Sequence, residues 1–307
     1  MNELTPEEVG SRMHALGLWE ALLPFNWAIK TKGVAIPYFC TVMKCDGNPV
    51  KIRFMMVEGW QSFHEYIRTR IDASYGFYSS PMEIPHFELV VDSGDGVHLF
   101  RHDPGYVPRA LTPTERALCA KVMWEAYGIM MRVESDSRLP LKFAGEKSMF
   151  ARVETEPGVW ADQPLPIPDP PPHVEKISFP KALVAKAKDL PFAQGDVVEM
   201  DFRLLPNIIT KEARPRCAYQ LAAIAADTGE RIAWERVSVS RDCGLRGLWE
   251  GMPPRVLAKL VERGRIPGEI KVLSGRVFRM IRPLCIELPF KLSLHDSLPR
   301  LEAALGL

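Results

Sequence analysis

The chain has 307 residues, 47% of them hydrophobic and 25% charged, which is the balance of a folded chain with room for about two domains. That balance excludes disorder as the main state, a collagen-like repeat and a polar tail protein. The net charge is +1 but unevenly spread: from Ile177 onward 21 basic residues face 15 acidic ones, while residues 1–176 carry 18 against 23.

The asymmetry points to a nucleic-acid or other acidic partner for the second half, set against an ordinary solvated surface. No stretch approaches the roughly 18 apolar residues of a membrane helix, so no membrane partner is expected. The acidic start, Met1 to Glu8, does not read as a signal peptide. Six cysteines without a CxxC pair fit a reduced, cytoplasmic protein, and all six are expected to be free thiols.

Thr5-Pro6-Glu7-Glu8 satisfies the capping-box pattern, and Val9, Met13 and Leu16 then recur at helical spacing. Trp27–Ile29 and Tyr38–Met43 read as strands, Asp46-Gly47-Asn48-Pro49 as a turn and Val50–Val57 as a partner strand. Trp60–Ile71 reads as a helix and Phe87–Val91 as a strand. A second capping box, Thr112-Pro113-Thr114-Glu115, opens a helix with the stripe Leu118, Val122, Met123, Ala126, Ile129, Met130 and Val133. Strands near Met149–Val153 and Gly158–Trp160 close this α+β half.

His86, His98 and His102 fall within seventeen residues, among Glu88, Asp92, Asp95 and Asp103. His98 and His102 have helical spacing, but Pro104-Gly105 speaks against a helix, and Asp92–Gly96 lacks the other ligands of a calcium loop. A turn with solvated histidines is therefore expected, and no metal site. Phosphate loops, nucleophile elbows, HExxH helices and kinase signatures are all absent. No catalytic residue and no cofactor is assigned.

Gln163 to Pro172 holds six prolines in ten positions, which reads as an extended linker. The expected domains are 1–162, a linker over 163–173, and 174–307. In the second domain a helix at Ala182–Lys188 precedes a strand at Val197–Leu205. The apolar run Cys217–Ala225 and the alternating Arg231–Val239 flank a turn at Asp227–Glu230 and form a hairpin. Gly244–Gly247 looks like a loop. A helix from Pro253 to Gly264, a strand at Glu269–Leu273, a helix shortened near Pro283, a strand at Phe290–Leu294 and a last helix capped by Ser297 follow.

That α/β order, βββαβαβα, predicts one mixed sheet with helices on its faces. It resembles the ribonuclease-H-like fold of nucleases, integrases and transposases. Val198–Phe202 is similar to the first catalytic strand of integrases, with Asp201 at the first carboxylate, and Ala222–Trp234 is similar to their second and third strands. The resemblance implies a second carboxylate where Leu273 stands, and a third on a later helix where only Glu302 is at hand. Two-metal phosphoryl transfer needs three, so Asp201 and Leu273 mark a vestigial site. A rearranged set of Asp201, Asp227 and Glu235 or Glu302 is the remaining route to a nuclease. Asp201→Asn is expected to change stability modestly and abolish nothing.

The whole chain is also similar to an uncharacterised bacterial two-domain family of domains of unknown function. The likeness runs through Leu18-Trp19-Glu20, Tyr38–Gly59, Pro104–Thr112, the Asp201 strand, Arg214-Pro215, Ile266–Val272 and Ser297-Leu298-Pro299. These are structural residues, so the resemblance implies fold and domain count and no activity. Arg276, Arg279 and Arg282 recur every three residues on one side of a helix, a candidate row of anion or nucleic-acid contacts. The expected function is a non-catalytic binding or interaction protein with a nucleic-acid or protein partner; the alternative is an enzyme of unidentified type with a site between the two domains.

Overall fold

The structure is a computed structural model, and it describes residues 4–15, 26–45, 51–74, 83–92, 96–170, 177–208, 212–240 and 242–306. The chain forms two compact units, each a mixed α/β arrangement around its own sheet.

The first unit comprises Met1–Ile67, Ile84–Asp103 and Pro108–Pro171. Its strands are β1 (Trp27–Lys30), β2 (Tyr38–Cys45), β3 (Lys51–Glu58), β4 (His86–Asp92), β5 (Gly96–His102), β6 (Ser148–Glu156) and β7 (Val159–Pro166), in the sheet order β5-β4-β3-β2-β1-β6-β7. All pairings are antiparallel except β1 with β6. Helices α1 (Pro6–Ala15) and α3 (Pro113–Ser135) bury Val9, Met13, Val122, Ala126 and Met130 against Trp27, Cys40, Phe54, Met56 and Leu89 on one face. Helix α2 (Gly59–Ser74) covers the other face, where Phe63 and Tyr66 meet Phe39, Met55 and Val57. Neighbours such as Phe39 and Cys40, or Met55 and Met56, thus serve opposite cores, because strand side chains alternate.

The Thr112 cap forms as its sequence implies. Thr112 Oγ1 accepts from the Glu115 amide at 3.3 Å, and the Glu115 carboxylate accepts from the Thr112 amide at 2.8 Å. A hydrogen-bonded Arg109 guanidinium holds the Glu115 carboxyl down to about 2. Thr112→Ala orphans one helix-end amide and is expected to lower urea stability by about 1 kcal/mol; an unchanged midpoint would refute the cap's role.

Three expectations are corrected here. Residues 96–102 are strand, not turn, and β5 pairs with β4 along its whole length. The strand β7 runs through Pro166, beyond the expected boundary at residue 162 and into the supposed linker. It is the outer strand of the sheet, so its prolines forgo only donors that no further strand needs. Finally, the second unit takes in Arg68–Glu83 and Pro104–Val107 as well as Pro172–Leu307.

That second unit has α4 (Lys181–Lys188), β8 (Phe192–Ile208), β9 (Cys217–Ala225), β10 (Arg231–Ser238), α5 (Gly244–Glu250), α6 (Met252–Arg263), β11 (Ile266–Val272), α7 (Gly275–Ile281), α8 (Leu284–Glu287), β12 (Lys291–Leu294) and α9 (Pro299–Leu305). Its sheet runs β10-β9-β8-β11-β12, with β8 to β10 antiparallel and β8, β11 and β12 parallel. Every residue of β9 is buried, which is why Cys217–Ala225 shows no polar alternation. One face of the sheet packs on α4 to α8, through Ala187, Trp249, Leu257, Val277 and Leu284. The other is covered by α9, with its cap Leu298 and Leu301 packed on Ala222 and Ile224. Gly244–Gly247, expected as a loop, opens α5. Leu298, not Ser297, caps α9, and the Glu302 carboxylate takes the Leu298 amide that the cap leaves open. The five described cysteines, Cys40, Cys119, Cys217, Cys243 and Cys285, are free; the Cys45 side chain lies outside the described residues.

Candidate functional site

The expected vestigial site lies on the α9 face of the second sheet. Strands β8 and β11 run parallel with Lys271 beside Glu199 and Val272 beside Met200, so Asp201 and Leu273 stand one step beyond the last pair. Asp201 is 7% exposed, and its Oδ1 accepts from the Phe202 amide at 2.8 Å. Burial raises its carboxyl to about 6, against the opposing pull of that amide and of Arg203. Leu273 packs with Ala222, Ile224, Leu298 and Leu301. Glu199, two residues before Asp201, is buried too and accepts from the Leu301 amide at 2.8 Å.

The other candidate carboxylates have local partners. Glu235 pairs with Lys259 at 2.9 Å and Arg255 at 3.6 Å, and Asp227 accepts from the Thr228 amide at 2.7 Å. Glu302 accepts from the Ser297 hydroxyl and the Leu298 amide, both at 3.1 Å. Among the described residues no metal-ligating trio includes Asp201.

The arginine row divides. Arg276 pairs with Glu83, and its guanidinium carbon lies 3.9 Å from the centre of the Trp249 ring. Glu83 Oε1 also accepts from the Tyr219 hydroxyl at 3.0 Å and the Trp249 indole at 3.3 Å. Burial, with the Glu83 charge and hydrogen bond, pushes the Tyr219 hydroxyl far above its ordinary range. Arg276 is thus held in a part-buried knot, while Arg279 and Arg282 are exposed. Glu83 was not singled out in the sequence, since it lies 136 residues from Tyr219 and 193 from Arg276.

In the first unit, β4 and β5 assemble a buried polar cluster that overturns the solvated-histidine expectation for His86 and His102, while His98 is exposed as expected. His86 pairs across the sheet with His102, and Glu88 follows on the same face of β4. The three are 2%, 4% and 6% exposed, in that order. The histidine rings stack at 4.2 Å between centres and 8° between planes. Burial, then the neighbouring His102, lowers His86 to about 4, so it is neutral at pH 7. His98 lies four pairs along from the His86–His102 pair, beside Val90, and does not join the cluster. The spacing His86-x-Glu88 on an alternating strand, with a turn-forming Asp92–Gly96 before a second alternating stretch, was the available signal.

The second unit is thus a mixed α/β module in which the strands, counted from β8, lie in the order third, second, first, fourth, fifth. Residues 183–306 match a family described as a domain of unknown function (DUF6930), a stretch inside this unit and short of half the chain. No curated protein and no solved structure matches the chain.

Proposed function

We propose that the chain is a non-catalytic binding protein whose second unit uses a ribonuclease-H-like scaffold without its metal-holding carboxylates. The strand order and the parallel pairing of the first and fourth strands support the scaffold. The observation that carries the loss of chemistry is Leu273, packed into the α9 cluster at the point where a second carboxylate is required. The test incubates the full chain and Asp201→Asn with labelled single- and double-stranded oligonucleotides in Mg²⁺ or Mn²⁺. No cleavage is expected from either. Metal-dependent cleavage that vanishes in the variant would overturn the reading.

A polyanionic partner fits the basic surplus after Ile177 and the exposed Arg279 and Arg282. Each phosphate neutralised contributes about −0.9 to the slope of log K against log salt on duplex DNA. Replacing both arginines by alanine should flatten that slope by up to about 1.8. No association at low salt would remove nucleic acid and leave a protein or small-molecule ligand as the candidate partner. The five free thiols fit a reducing compartment such as the cytoplasm.

A further inference from the structure

The geometry points to a transition-metal site in the first unit, held by His86, Glu88 and His102. One ring nitrogen from each histidine and one carboxylate oxygen lie within 4.8 Å of one another. Ligands at 2.0–2.2 Å from a tetrahedral centre stand roughly 3.4 Å apart. A separation at the 4.8 Å limit has to close by about 1.4 Å, while the 2.7 Å contact of His102 Nε2 with Glu88 Oε2 has to open, and both movements are within reach of the soft terminal torsions of His and Glu.

Hydrogen bonding separates this cluster from a merely structural one. His86 Nδ1 lies 2.7 Å from the Ile84 carbonyl. That bond places the proton on Nδ1 and leaves Nε2 with its lone pair, as a backbone carbonyl does behind metal-bound histidines. His102 Nε2 is 2.7 Å from Glu88 Oε2, yet neither His102 nitrogen has a hydrogen-bond partner of acceptable alignment. Arg53 Nε, 3.3 Å from the other Glu88 oxygen, is also buried without an aligned bond. Buried polar atoms are ordinarily satisfied, and so many misaligned ones around one carboxylate call for another occupant. A cation between Glu88 and the histidines uses the His102 lone pair and neutralises the carboxylate together.

Two imidazoles and one carboxylate suit a divalent first-row transition ion such as zinc or iron(II), and not calcium or magnesium, which prefer all-oxygen shells. Three protein ligands leave further coordination positions for water or a small ligand. The lone pairs of the stacked rings lie in nearly parallel planes, so binding one ion must splay the His86 and His102 rings apart.

The test uses the full-length, tag-free chain stripped with chelator and dialysed against buffered Zn²⁺, with bound metal measured by mass spectrometry. One zinc per chain is expected, with affinity reduced more than about tenfold in Glu88→Gln and in His102→Ala. X-ray absorption of zinc-loaded wild type should show two imidazoles and an oxygen ligand, which tests the site even where a variant does not fold. Failure of wild type to take up zinc, cobalt(II) or iron(II) would overturn the proposal. So would uptake that both variants retain, since that metal would sit on exposed histidines.

Discussion

Asp201→Asn is expected to make the protein more stable at neutral pH and to remove a fall in stability between about pH 4 and pH 6. The folded carboxyl titrates at about 6, above its ordinary 3.8, because burial disfavours the charged form. Between those two values the folded state binds more protons than the unfolded chain, so stability declines as pH rises. Below both values the carboxyl is neutral in either state and the penalty is absent. Above about 6 the penalty is fully developed, at up to about 3 kcal/mol for a shift of this size. Asparagine keeps the oxygen that accepts from the Phe202 amide but cannot ionise. Its buried amide donors offset part of the gain. Urea unfolding of both proteins from pH 4 to pH 8 decides the matter: parallel curves, or a variant weaker at pH 7, would mean that the folded protein benefits from the charge. The modest effect expected from the sequence becomes a large one because nothing in the residue order reveals that α9 seals this face.

Gly268→Ala is expected to be the most damaging single-methyl change in the second unit. The register between β11 and β8 shifts between Pro267 and Glu269, so Gln194, Gly195 and Asp196 crowd against the one residue Gly268. A Cβ there would overlap the Gln194 carbonyl oxygen and stand 2.6 Å from its carbonyl carbon. The obstacle is backbone, which cannot swing aside as a side chain does, and glycine in a strand marks such close approaches. The β8–β11 pairing must open locally, at a cost of about 3 kcal/mol or more. A midpoint shift in urea below about 0.5 kcal/mol would show that the bulge adapts. Gly195 serves as a control, since a Cβ there meets nothing within 4 Å.

The residue order by itself determined the local features of this protein. The Thr112 box, the stripe of α3, the unalternating apolar run of β9 and the break at Pro283 each depend on a few adjacent residues, and capping and side-chain periodicity act over that range. Tertiary structure alone decided which polar groups meet. His102 faces His86 only because β4 and β5 pair in one register; a slip of one residue would turn it to the opposite face. Arg276 reads as one of three equivalent cations until Glu83, 193 residues away, is folded onto it. Partners so distant in sequence are chosen by sheet register and packing, and these are properties of the assembled core rather than of any segment.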